Sequence, residues 1–117
     1  MAGAQRQEGP TVLVAIRPRA YNHAIGRAIG RLRPGWRVRV VEPRELREKL
    51  AATSPEVVLC SQPCCAGGGD PCWIEFYPRA DSPEVELRVD GGDRSRGEVE
   101  LQDLLSLLDR RVAARAG

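Results

Sequence analysis

The chain has 117 residues, a formal net charge of +2, 42% hydrophobic and 29% charged residues, and only two Trp, two Tyr and one Phe. That size and balance fit one globular domain with an aliphatic core, and they exclude both a disordered polyelectrolyte and a chain held together by disulfide staples. The longest apolar run, 12-VLVAI-16, is far too short to span a bilayer, and the interspersed acids and bases make no case for nucleic acid.

The start, 1-MAGAQRQEGP-10, lacks an apolar signal region and reads as a disordered tail on an intracellular, cytoplasmic protein. The run 11-TVLVAI-16 is β-branched and aliphatic throughout, the pattern of a strand buried on both faces of a parallel sheet. In 22-NHAIGRAIGRL-32, Ile25, Ala28, Ile29 and Leu32 recur at helical spacing, with Asn22 as the expected N-cap and Pro34-Gly35 as the stop. Gly26 and Gly30 weaken that helix, a cost that close packing against the sheet would offset. The alternating 36-WRVRVVE-42 predicts a second strand; 43-PRELREKLAA-52, with proline at its start and Leu46 and Leu50 facing inward, predicts a second helix. Then 56-EVVLCS-61 predicts a third strand. The order β-α-β-α-β is that of a parallel sheet with right-handed crossovers.

The second half changes character. The runs 73-WIEFY-77 and 84-EVELRV-89 predict strands joined by 78-PRADSP-83, which is too short for a parallel crossover, so these two strands form an antiparallel hairpin. Asp90-Gly91-Gly92 supplies a second tight turn, with a further short strand expected within 94-RSRGEV-99. The final helix, 100-ELQDLLSLLDRRV-112, buries a stripe of Leu101, Leu104, Leu105, Leu108 and Val112, with Leu107 outside it, and 113–117 frays. The expected architecture is a three-layer α/β domain over 11–112, its parallel half followed by an antiparallel hairpin or meander and a C-terminal helix.

The stretches 12-VLVAIRPRA-20 and 54-SPEVVLCSQP-63, with the helix between them, resemble the receiver domain of bacterial response regulators. The resemblance covers roughly residues 11–63 and, more loosely, the last helix. It implies a Mg²⁺-binding acid pair after the first strand, where this chain has Arg17 and Pro18, and a phosphoacceptor aspartate where it has Ser61. Phe76 or Tyr77 stands in the region of the receiver's hydroxyl residue, and Arg88 is a weak counterpart of its lysine. Phosphoryl transfer needs a carboxylate nucleophile and a cation over the moving oxygens. Arginine in place of the acids repels the cation, so the resemblance implies a pseudo-receiver without aspartyl phosphorylation.

Three other chemistries are open. Ligands of open α/β sheets sit beyond the carboxyl ends of the strands, where Arg17, Arg19 and Arg79 are expected and could hold a carboxylate or phosphate. All four cysteines lie in 60-CSQPCCAGGGDPC-72, whose spacing departs from zinc knuckles. Cys60, Cys64, Cys65 and Cys72 are candidate metal or redox residues all the same, weighed against a mobile glycine-rich loop with Cys60 in the core. Leu107 is a candidate interface residue, because it widens the apolar face of the last helix. His23 is the only histidine and gives Ser61 no evident base, so no catalytic residue, cofactor or enzymatic activity is expected. The sequence reading is a non-catalytic regulatory or scaffold module that binds another protein or dimerises. A small-anion sensor and a cysteine-loop metal or redox module are the alternatives.

Overall fold

The structure, a computed structural model, describes residues 9–63, 71–79 and 81–116. Strand β1 (Thr11–Ala15) leads through Ile16–Pro18 into helix α1 (Arg19–Leu32), followed by β2 (Arg37–Val40). A 3-10 turn at Pro43–Glu45 opens α2 (Leu46–Thr53), which returns the chain to β3 (Val57–Cys60). Then come β4 (Cys72–Pro78), β5 (Glu84–Val89), β6 (Arg94–Glu98) and α3 (Leu101–Ala116).

The six strands form one sheet in the order β2-β1-β3-β4-β5-β6. The first four are mutually parallel and β5 and β6 continue as an antiparallel meander, so the parallel part extends one strand further than the βαβαβ unit. The order 2-1-3-4 is that of flavodoxin-like doubly wound sheets. β1 and β3 lie in the middle, and every residue of Val12–Ala15 and Val57–Cys60 is buried, as continuous aliphatic runs demand.

The two sheet faces carry separate cores, which makes three layers. On one, Val12, Val14, Leu59, Ile74 and Phe76 pack against Ile29 of α1 and Leu104, Leu105 and Leu108 of α3. On the other, Leu13, Ala15, Val58, Cys60 and Trp73 pack against Leu46 and Leu50 of α2. Strand alternation sorts the residues: odd and even positions of one strand fall on opposite faces. Gly26 is the place where α1 touches β2, since a Cβ there would stand 2.2 Å from Val40 Cγ2. Gly30 has open space around it, so only one of the two helix glycines serves packing.

Several local expectations are corrected. α1 begins at Arg19, one turn before Asn22; Asn22 is therefore inside the helix and buried, and it caps nothing. Leu32, placed in the inward stripe, is the last residue of α1 and is 47% exposed. Gly9 and Pro10, assigned to the tail, belong to the domain: Pro10 C=O accepts from Arg37 N–H at 2.8 Å, and a Cβ on Gly9 would collide with Gly35 O. The rest of that tail, 1–8, lies outside the described residues. At the other end, α3 continues to Ala116 where fraying was expected from 113.

α3 is tied down by two arginine–aspartate contacts. Arg33 donates from Nε and Nη2 to both carboxylate oxygens of Asp109 (2.9 and 2.6 Å) and stacks over Trp36 at 5.9 Å. Arg111 donates to Asp90 Oδ2 at 2.6 Å. Leu107 is half-buried and packs against the core shared by α1 and α3. Leu101, placed in the stripe, is the leucine of this helix that stays 37% exposed. None of the helices among the described residues is long and apolar enough to cross a membrane.

Candidate functional site

The carboxyl edge of the parallel strands is held by two polar side chains. Asn22 reaches down from α1 with both ends of its amide engaged: Oδ1 accepts from Ile16 N–H and Nδ2 donates to Val41 C=O, each at 2.9 Å. It thereby joins the ends of β1 and β2. Ser61 does the equivalent on the other side. Its hydroxyl accepts from Arg17 N–H at 3.0 Å and donates to Phe76 C=O at 2.7 Å, while its own N–H bonds to Ala15 C=O at 3.2 Å. β1, β3 and β4 are stitched together by this one residue. The Ser61 proton is thus committed to a backbone carbonyl.

Over the ends of β1 and β2 lies a polar cleft of about 360 Å³ lined by Ile16, Arg17, Arg19, Asn22, Glu42 and Arg44, with Pro43 between the last two. Arg19 pairs with Glu42 at 3.3 Å, with three quarters of its side chain in water. Arg17 and Arg44 are exposed and form no ion pair among the described residues. Three guanidinium groups and one carboxylate leave the cleft net positive.

The sequence expectation grouped Arg17 and Arg19 with Arg79, and the structure separates them. Arg79 follows β4, beyond β3, and pairs with Asp81 at 3.7 Å. It lines another depression, an apolar groove of about 330 Å³ between α1, the β4–β5 hairpin and the start of α3. The residue that joins Arg17 and Arg19 is Arg44, which the sequence expectation did not include. A signal for it exists in hindsight: Pro43-Arg44 opens the helix after β2, and so must stand at the same sheet edge as Arg17. Arg88 lies in register with Glu75 in the middle of β4, and its guanidinium turns to the β5–β6 turn, where it donates to Gly92 C=O at 2.8 Å.

Of the four cysteines, the two among the described residues do not meet. Cys60 is buried with the α2-side core and Cys72 with the α1/α3-side core, on opposite faces of the sheet. Their register also sets them apart, because Cys60 partners Glu75, three residues beyond Cys72 on β4 and hence about 10 Å along the strand. No group of three or more His, Cys, Asp or Glu with metal-binding spacing occurs among the described residues. Cys64 and Cys65, like the glycines at 67–69, lie outside them.

Burial pushes the Cys72 thiol up, and the Arg111 guanidinium 3.4 Å away does not reverse the shift. The thiol donates to Asp90 Oδ2 at 3.7 Å and closes a Cys72–Asp90–Arg111 contact that is structural in character.

One acid escaped the sequence reading. Glu75, in the middle of an apolar strand, is 2% exposed and accepts from Tyr77 O–H at 2.7 Å. Burial, and then the bond to Glu75, push the Tyr77 phenol well above its ordinary value. The clue was the lone acid in 73-WIEFY-77, whose alternation places it on the same face as Trp73.

Comparison with known proteins adds a fold and no family. No family model matches the chain, and no curated protein matches it. Among solved structures it is similar to a methionyl-tRNA formyltransferase from Clostridium thermocellum, with a TM-score of 0.53 and 12% identity, over 87% of this chain and 66% of that one. A likeness at this identity is one of backbone architecture.

Proposed function

We propose that the chain is a non-catalytic, receiver-like regulatory module that works by binding another protein and does not undergo aspartyl phosphorylation. The observation that carries the reading is Ser61. The residue that resembles the phosphoacceptor is a hydroxyl already bonded on both sides, to Arg17 N–H and Phe76 C=O. Arg17 and Pro18 stand where the resemblance implies metal-binding acids; a guanidinium repels Mg²⁺, and no carboxylate at Ser61 accepts a phosphoryl group. With chemistry removed from the sheet edge, the scaffold retains surfaces for association. Incubation of the intact protein with acetyl phosphate and Mg²⁺, followed by intact-mass measurement, is expected to leave the mass unchanged. A stoichiometric phosphoryl adduct would overturn the reading.

A second reading, a small-anion sensor, is favoured by the convergence of Arg17, Arg19 and Arg44 on one cleft. Guanidinium groups suit a carboxylate or phosphate through paired N–H donors. Inorganic phosphate is then expected to raise the melting temperature saturably, with the shift reduced in both Arg17→Ala and Arg44→Ala and retained in Arg79→Ala. Equal shifts in all four proteins would reduce the effect to general ionic strength.

A further inference from the structure

The apolar groove beside α1 opens over the α1/α3-side core and takes no part in the strand-edge site. Its floor is Phe76 and Val85 of the hairpin, Ile25 of α1 and Leu104 of α3, and two of its walls, Tyr21 and Leu101, are the exposed large hydrophobics nearest it, at 40% and 37%. The volume of about 330 Å³ accommodates one or two large side chains. Leu101 and Tyr21 stand on different helices and face one depression, an arrangement that a solitary exposed residue does not produce.

Charge decides what would fill it. Among the described residues, three charged side chains line the groove: Arg79, Glu84 and Glu100. Arg79 is answered by Asp81 at 3.7 Å, whereas Glu84 and Glu100 form no ion pair among the described residues. The chain as a whole carries +2, so this acidic rim runs against the overall charge. An anionic ligand is disfavoured here and a cationic one is not.

Resting on the interaction-module reading, we propose that this groove docks a basic, amphipathic segment of a partner protein. An apolar side chain enters between Tyr21 and Leu101 while a lysine or arginine next to it meets Glu84 and Glu100. Apolar burial supplies the attraction, and the carboxylates select the sign of charge and fix orientation.

The probes are two synthetic amphipathic peptides of equal length, one built of leucine and lysine and the other of leucine and glutamate. Binding to the full chain is followed by amide chemical-shift mapping and titration. The leucine–lysine peptide is expected to perturb Ala24, Ile25, Val85, Leu101 and Leu104, and to bind about tenfold tighter than its acidic counterpart, with the difference shrinking as salt rises. Leu101→Lys, a change at an exposed site that leaves the remaining spectrum in place, abolishes this binding. Glu84→Gln combined with Glu100→Gln removes the preference between peptides.

Equal affinity for both peptides, or indifference to Leu101→Lys, would overturn the assignment. So would self-association of the chain through the same residues, because the occupant would then be a second copy. Binding of either peptide at another face would also sink the groove, yet it would leave the interaction module standing. A phosphoryl adduct with acetyl phosphate would do the reverse.

Discussion

Replacing Asn22 with leucine is expected to lower the unfolding free energy by about 2–4 kcal/mol in urea titrations, a large share of a domain's usual stability. The side chain is 3% exposed, and its two bonds satisfy Ile16 N–H and Val41 C=O, which then face a hydrocarbon group and no water. Each buried backbone group left without a partner costs about 1–3 kcal/mol. Asn22→Asp should fall between, since it keeps an acceptor for Ile16 N–H and loses the donor to Val41. The same substitution reaches the arginine cleft, because Ile16 and Glu42 flank the two bonded backbone groups and both line it. A leucine variant that bound phosphate more weakly while remaining folded would tie the cleft to the staple. Stability within a few tenths of a kcal/mol of the parent would show that the two bonds contribute little.

Asp90→Ala is the second large effect, expected at about 2–3 kcal/mol after allowance for a carboxylate that is only partly shielded from solvent. Asp90 accepts from Trp73 N–H at 2.8 Å through one oxygen and from Arg111 at 2.6 Å through the other, so it joins β4, the hairpin turn and α3. It also occupies a left-handed backbone position, φ +52°, followed by Gly91 at φ +73°, the succession an Asp-Gly turn provides and alanine resists. Asp90→Asn keeps the turn and the Trp73 bond, and its cost should be about a third of alanine's.

A pH dependence accompanies it. Burial pushes the Asp90 carboxyl up, but Trp73 N–H and the Arg111 guanidinium outweigh it and hold the group below its ordinary value of 3.8. Asp109 is likewise held low, by Arg33. A carboxyl depressed in the folded state contributes stability that is complete well above 3.8 and disappears as pH falls through the lower folded value. The parent should therefore lose stability on acidification through this range more steeply than Asp90→Asn. Parallel melting-temperature profiles for the two proteins would contradict the role given to the charge.

The two strand-edge staples illustrate what a linear reading misses. Asn22 carries the right chemistry for an N-cap and precedes an apolar-periodic run, so local rules place a helix start there. The start lies one turn earlier because a buried amide can serve two strands at once, and no local pattern encodes those strands' positions. Ser61 was singled out through a resemblance, and the structure gives it a bonding role that depends on Phe76, fifteen residues away.

The sequence by itself determined the elements, the parallel sense of the first three strands and the antiparallel sense of the hairpin. The parallel pairing of β4 with β3 came from the structure. Aliphatic strands, a proline-led second helix, a six-residue hairpin link and a leucine-striped last helix follow from side-chain periodicity and turn stereochemistry, which are properties of neighbouring residues. Tertiary structure alone decided which side chains meet. It split Cys60 from Cys72 by putting them on opposite sheet faces, and sent Arg79 to a groove while Arg44 joined Arg17 and Arg19. It also packed a half-buried Leu107 against the core and left Leu101 at a groove wall. Those outcomes depend on strand order, register and helix rotation, which are set by the packing of the whole sheet and by no segment of it.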